Sequence, residues 1–399
     1  MAIAPYRFIG GMATDNSYTD ATSRNWYRID DVEEQISHLN SQGAVFYKIL
    51  DTFRRGSSVM QPKYSWWNDD VPAILTNINF GAGYNTTDAT LVVDDTTIFT
   101  PRTLVLNQRT QELMIVNSLT DTTTIVVERG VNGTDGVAIL DNDGLMALGA
   151  GLPEKGTANL ANSQLPVSDW NYVSYFSIKK QVTELQEKTD MRFRIDFPKE
   201  MRNGWFELQR QVNQQMLWGR KGTRNDATYG RFYYTDGFIT QLHSNILDLS
   251  EADGILTWPM FNDYFRNTSK DGASSPTKTL ICGTSLFAAC NQISYNQASP
   301  TEYMETLGTS VKRIETDEGL SVDIVLDRYS FPETHAGMGI VVDLNQVELK
   351  AHAGLEFQVR PNIQDNDAHL REDEIYGSAS LQVKHEEVHG LIQNCVGPY

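Results

Sequence analysis

The chain has 399 residues, 40% of them hydrophobic, and a formal net charge of −18. That length supports two or three domains with a sizeable core. No apolar run approaches the roughly 20 residues that span a bilayer, which excludes a helical membrane span, and the acidity argues against a general nucleic-acid-binding surface.

Taken in chain order, the N-terminus (MAIAPYRFIGGMATDNSYTD) lacks a basic region followed by an apolar core and predicts no signal peptide. Residues 1–28 have no periodicity and predict an extended arm that orders against a partner surface. Asp30 and Asp31 cap a predicted helical stretch with Val32, Ile36 and Leu39. A second apolar set, Val45, Phe46, Ile49, Leu50 and Phe53, follows to Arg54-Arg55-Gly56.

Gln61–Val71 (QPKYSWWNDDV) reads as an aromatic strand bounded by Pro62 and Pro72. Its adjacent Trp66 and Trp67 fit burial against another chain or against the subunit's own core. Residues 80–149 then change texture. Short β runs at Thr90–Val93, Thr103–Leu106, Leu113–Val116, Thr124–Arg129 and Gly144–Leu148 alternate with turn residues. Glycines flank the stretch, which predicts a small β-barrel or sandwich inserted into a loop. Asp141-Asn142-Asp143-Gly144 lacks the spacing and closing Glu of a calcium loop and reads as a turn.

Asn171–Ile178 (NYVSYFSI) is a second aromatic strand, carrying Tyr172, Tyr175 and Phe176. It is expected to pair with the Tyr64 region as a long two-stranded flap. Phe197, Met201, Trp205, Leu208, Val212 and Met216 then recur every three or four residues, the seam of a helix from Phe197 to Trp218. Asp196 is placed to cap it, and Gly219 and Gly222 to end it. Gly204 in mid-helix costs about 1 kcal/mol against Ala, which points to close packing there. Residues 179–231 hold twelve Lys or Arg against seven Asp or Glu, a basic island in an acidic chain. Arg220–Asp236 reads as a basic loop without a phosphate-binding motif.

From Gly237 to Gln297 the pattern is α/β. Trp258, Phe261, Tyr264 and Phe265 have helical spacing, and Lys278–Cys282 is a short strand. Gly283-Thr284-Ser285 leads into a helix with Leu286, Phe287, Cys290 and Ile293. Phe287 replaces the second glycine of a nucleophile elbow, so Ser285 reads as a helix cap. Val311–Glu315, Leu320–Leu326, Gly339–Leu344 and Leu381–Ile392 are strand-like. The three cysteines, Cys282, Cys290 and Cys395, make no disulfide framework and fit reduced thiols.

His385-Glu386-Glu387-Val388-His389 matches H-E-x-x-H, the zinc peptidase signature. That chemistry needs a helix and a third ligand. Ten residues follow His389, none of them His, Asp or Glu, and the alternation of Leu381, Val383 and His385 predicts a strand. On a strand the two histidines stand about 13 Å apart and cannot share a metal. No catalytic residue, metal ligand or cofactor site is expected. A zinc metallopeptidase built on this motif and a β-rich surface adhesin are the alternative functions.

The order of parts is arm, aromatic strand, inserted β module, return strand, long helix, α/β lobe and closing strands. It resembles the major capsid protein of tailed double-stranded DNA bacteriophages, the Hong Kong ninety-seven capsid fold. TLICGTSLFAACNQIS (279–294), GIVVDLNQVELKAHAGLEF (339–357) and GSASLQVKHEEVHGLIQNCVG (377–397) resemble the A-domain strand and helix and the closing strands of one subfamily. The resemblance implies an α+β capsid fold: N-terminal arm and helices at 1–60, an E-loop at 61–79 and 150–180, and a β insertion at 80–149. It further implies a P-domain with its spine helix at 181–236, an A-domain at 237–310 and C-terminal strands at 311–399. It implies a structural, non-enzymatic subunit that self-assembles as hexamers and pentamers into an icosahedral shell around double-stranded DNA, bound without sequence specificity. Assembly in a bacterial cytoplasm, portal, scaffolding and decoration partners, and no membrane follow from the same resemblance. Some members join Lys to Asn between subunits; Lys63 lies near the E-loop, but nothing in the sequence supports such a bond. Trp66, Trp67, Tyr172, Tyr175 and Phe176 are the expected subunit-contact residues.

Overall fold

The computed structural model describes residues 43–69, 73–152, 154, 165–188, 197–270, 273–297, 303–306 and 309–397. The expected arm, the helix beginning at Asp30 and the Asp196 cap lie outside the described residues.

The apolar set after Gly43 winds into α1 (Val45–Phe53), which buries Phe46, Tyr47, Ile49 and Leu50 on one face. Strand β1 (Lys63–Asn68) follows. Six short strands come next: β2 (Leu75–Asn77), β3 (Thr90–Val92), β4 (Thr103–Asn107), β5 (Leu113–Leu119), β6 (Thr124–Glu128) and β7 (Gly144–Ala150). Their order is β2-β7-β4-β5-β6-β3. Ile78 bridges to Val93, so the two edges meet and the sheet closes as a barrel. Leu91, Val105, Met114, Val116, Ile125, Val127 and Leu145 point inward as its core. β2 lies upstream of Gly81, so the barrel begins earlier than the glycine-flanked stretch suggests.

The barrel also holds a polar clamp. Arg129 Nε and Nη2 donate to Glu112 at 2.7 and 2.8 Å, with the two side chains 7% and 0% exposed. The same guanidinium donates to the carbonyls of Asn85, Asp88 and Val137, tying three loop segments together. Asp143 is a buried turn residue that accepts from Arg109, Asn107 and the Leu140 N–H.

The chain returns through β8 (Val167–Tyr172) and β9 (Ser174–Thr183). A continuous strand over Asn171–Ile178 was expected, but Val173 divides it. β8 pairs with β1 as a six-residue ribbon, while β9 leaves for another sheet. A short α2 (Glu184–Lys188) precedes α3 (Phe197–Trp218), which has the span the seam predicts. Leu208, Val212 and Met216 are buried, and Met201 and Trp205 pack partly buried against the same core. A Cβ on Gly204 would stand 3.1 Å from both Ile375 Cδ1 and Lys180 Cε, which explains the glycine. Asn213 is fully buried; it accepts from the Tyr47 N–H and donates to Ser330, joining α1 to the long helix.

Arg220–Asp236, expected as a loop, is mostly a hairpin of β10 (Gly222–Asp226) and β11 (Gly230–Tyr234). Then come α4 (Phe238–Gln241), β12 (Ile246–Asp248), α5 (Trp258–Thr268), β13 (Thr277–Cys282) and α6 (Thr284–Gln297). Ser285 lies inside the first turn of α6, its N–H donating to the Ala336 carbonyl, and so is not the cap. The remaining strands are β14 (Tyr303–Thr306), β15 (Thr309–Glu315), β16 (Ser321–Leu326), β17 (Gly339–Val342), β18 (Val347–Lys350), β19 (Gln358–Arg360), β20 (Leu370–Val383) and β21 (Gly390–Gln393).

These make two further sheets. In the first, order β12-β21-β17-β13-β16-β15-β14, neighbouring residues Leu280 and Ile281, and again Ile340 and Val341, enter opposite cores. Burial on both faces explains the unbroken apolar runs. One core lies under α1 and α3, the other under α5 and α6. In the second sheet the 14-residue β20 pairs with β9 over ten residues and with β18 and β19 on its other side.

Candidate subunit-contact site

The β1–β8 ribbon is two-faced, and its register decides which residue faces where. Paired residues share a face: Tyr64 with Asn171 and Trp66 with Asp169 on one side, Lys63 with Tyr172, Ser65 with Trp170 and Trp67 with Ser168 on the other.

The first face is anchored. Tyr64 Oη lies 2.8 Å from Ser380 Oγ on β20, and burial pushes the Tyr64 hydroxyl pKa up, keeping it neutral. Asn171, with no exposure, donates to the Leu381 carbonyl at 2.7 Å and accepts from the Asp236 N–H at 2.8 Å. Trp66 is only 6% exposed, and its Nε1 has no hydrogen-bond partner among the described residues.

The second face is open and carries the aromatic and cationic groups. Trp67 is 68% exposed. Lys63 Nζ and Lys221 Nζ lie 4.1 and 4.7 Å from the Trp170 ring. Trp170 meets Tyr172 edge-on at 5.1 Å, and Tyr172 meets Tyr233 of the hairpin at 5.5 Å. Lys221 is also held 3.6 Å from Asp169 and 3.4 Å from Asp236. Cations over indole rings contribute about 0.5–2 kcal/mol each and fix the plane of the ring. Ribbon and hairpin therefore present one aromatic surface carrying Lys63 and the carboxylate-paired Lys221. At the ribbon's root a cleft of about 310 Å³ is lined by Asn68, Asp169, Arg220, Lys221, Asp236 and Glu386, among others.

The five contact residues expected from the sequence do not share this surface. Trp67 and Tyr172 lie on the open face, and Trp66 on the anchored one. Tyr175, on β9, is exposed with its ring 6.4 Å from His352, while Phe176 packs partly buried against the α3 core. Trp170, Lys221 and Tyr233 were not singled out. The i, i+2 spacing of Trp170 and Tyr172 on a strand was the available signal.

The H-E-x-x-H segment is neither a helix of the peptidase type nor the expected strand. β20 stops at Val383, His385 takes a left-handed backbone (φ 48°), and Glu386–Val388 forms one 3-10 turn. Glu386 accepts from the backbone N–H groups of His243 and Ser244. His389 is fully buried, accepts the Asp343 N–H at its Nδ1 and packs edge-on against Phe238. Among the described residues no group of three or more His, Cys, Asp or Glu could hold a metal ion.

The family model of the SU10 major capsid protein matches residues 13–396. No curated protein matches the chain. Solved structures similar to it include the capsid of Myoviridae phage XM1, at 11% identity and a TM-score of 0.44 over 92% of this chain and 96% of that one. The capsid of the native GTA particle is 10% identical, with a TM-score of 0.43 over 96% and 99% of the two chains. The holo-SrpI encapsulin complex from Synechococcus elongatus is 12% identical, with a TM-score of 0.41 over 58% and 76%. The match over 13–396 settles the family: the chain belongs to the SU10 major capsid proteins, and it is a structural protein of the virion, not an enzyme, that associates with its own kind.

Proposed function

We propose that copies of this chain close, as hexamers and pentamers, into an icosahedral shell around double-stranded DNA in the cytoplasm of a bacterial host. The observation that carries this reading is the two-faced ribbon. Its anchored face fixes its direction, while its open face offers Trp67, Trp170, Tyr172 and two lysines with no core of their own to enter. Rings require heterologous contacts, one patch meeting a different patch on the neighbour, and exposed aromatic groups are the ones that mark such patches.

In this reading residues 61–79 and 150–180 form the E-loop and 80–149 the insertion. Residues 181–236 form the P-domain with α3 as its spine, 237–310 the A-domain, and 311–399 strands shared by both. Residues 1–28 supply a second contact as an arm. The net charge of −18 fits packaged DNA held loosely and without sequence preference. Portal, scaffolding and decoration proteins complete the particle.

The test compares two neighbouring tryptophans. Trp67→Ala changes subunit stability by no more than about 0.5 kcal/mol but lowers the sedimenting particle fraction severalfold. Trp66→Ala, in the anchored face, costs the subunit about 3–5 kcal/mol. Normal particle yield from Trp67→Ala removes the open face from the contact.

A further inference from the structure

The inserted barrel is strongly acidic. Residues 73–152 hold nine Asp or Glu, three Arg and no Lys. Two of those arginines are already paired, Arg109 with Asp143 and the buried Arg129 with Glu112. In a closed antiparallel barrel alternate connections lie at opposite rims. The chain enters at Leu75 and leaves at Ala150 on one rim, so the loops 78–89, 108–112 and 129–143 form the other, outer rim. That rim carries an exposed apolar group: Phe80, stacked on Tyr84 at 4.8 Å, with Val137 and Leu140, the last 54% exposed. The N–H of Phe80 donates to Asp141, and Tyr84 pairs with Ile139, which keeps Phe80 and Leu140 on neighbouring loops. Asp135 and Asp141 flank them, both exposed. The Arg129–Glu112 clamp holds these loops in place before any partner arrives.

The β10–β11 hairpin is the opposite in charge and alike in apolar character. In its register Thr223 pairs with Tyr233 and Asn225 with Arg231, whereas Arg224 pairs with Phe232 and Gly222 with Tyr234. Tyr233 stacks on the ribbon, so the Arg224, Phe232 and Tyr234 face points away from it. Phe232 and Tyr234 are exposed, and Tyr229 at the tip is 81% exposed. Arg231 donates to Asn225 on the ribbon-side face, which leaves Arg224 as the cation of the outward one.

We propose that the outer rim of the barrel in one copy docks on the outward face of the hairpin in another copy. Apolar groups meet at the centre, and Asp135 and Asp141 meet Arg224 at the edge. A second copy is the occupant because this family assembles from its own copies. Chains of net charge −18 also repel, so lasting contact between them needs opposite charges brought together locally. The inference rests on self-association alone and is independent of the ribbon's role.

Two chains, one carrying Val137→Cys and the other Tyr229→Cys, are expressed together and their particles oxidised. The native thiols Cys282, Cys290 and Cys395 are buried and give little background. The expected result is a disulfide-linked pair of unlike chains, which no single chain can form within itself. In parallel, Arg224→Glu, or Asp135→Lys with Asp141→Lys, lowers particle yield by about tenfold, and all three changes in one chain restore most of it. Circular dichroism of each subunit separates lost assembly from lost folding. Absence of the unlike pair from intact particles overturns the proposal. So does normal assembly of the hairpin variant, whether or not its particles lose packaged DNA; loss of DNA would assign the hairpin to nucleic acid instead.

Discussion

Lys278 Nζ lies 3.1 Å from Asp343 Oδ2, and neither side chain has any exposure to solvent. Lys278 also donates to the Val388 carbonyl at 2.8 Å. Asp343 accepts from the N–H and hydroxyl of Ser275 and from the Asn345 N–H. Burial opposes its charge, but these donors and the ammonium together hold the Asp343 carboxyl below the ordinary range. The pair ties β13 to the turn after β17 and to the segment before β21. Lys278→Met leaves a buried carboxylate uncompensated and should cost about 3–5 kcal/mol, read as a lower urea midpoint. A change under about 1 kcal/mol would mean that water reaches Asp343 in the folded chain.

His389 lies beside this pair and gives the fold an acid sensitivity. Burial, with the nearby Lys278 charge, pushes its imidazole down to about 3 from the usual 6.5. A base depressed in the folded state binds its proton only on unfolding. Its full contribution is therefore present above about pH 6.5 and is lost as pH falls from there toward 3. At pH 4.5 the loss relative to pH 7 is about 2–3 kcal/mol. His389→Gln should flatten the stability profile between pH 6.5 and 4.5. An unchanged slope would place the titrating group elsewhere.

Gly204 tests how tightly α3 lies on β9 and β20. An added methyl meets Ile375 and Lys180 at 3.1 Å, while the helix gains about 1 kcal/mol from losing a glycine. Gly204→Ala should thus fall within about 1 kcal/mol of the wild type, and Gly204→Leu should lose about 1–3 kcal/mol by overpacking. Equal thermal midpoints for the two variants would show a looser contact than the structure has.

The barrel has its own core, and Arg129→Met strikes its clamp alone. Glu112, 1% exposed, then keeps a charge without a counterion. Hydrogen exchange should rise across residues 75–150 while the strands β13, β16 and β17 keep their protection. Loss of protection in both places would make barrel and body one cooperative unit.

Much of this fold was legible because its apolar residues are regularly spaced. The seam from Phe197 to Met216 gave α3 its true span, and the short apolar runs marked the barrel strands apart from β2, which lies before the glycine boundary at Gly81. The hairpin β10–β11 was hidden because both of its faces are largely exposed, so Arg224, Phe232 and Tyr234 show no apolar period. The break after Val383 was hidden because it turns on one left-handed residue, His385, whose type gives no warning. The site was half legible. Trp67 and Tyr172 are visible as aromatics on strands, but only the register separates Trp67 from Trp66. The Lys278–Asp343 pair left a trace, a lysine within the buried strand TKTLIC, which by itself names no partner.

Self-association into a closed shell is the central claim, and negative-stain microscopy of the expressed chain, paired with sedimentation velocity, tests it most directly. The account predicts closed, rounded particles of uniform diameter built from many copies of the chain. Subunits that stay single at every concentration would contradict it.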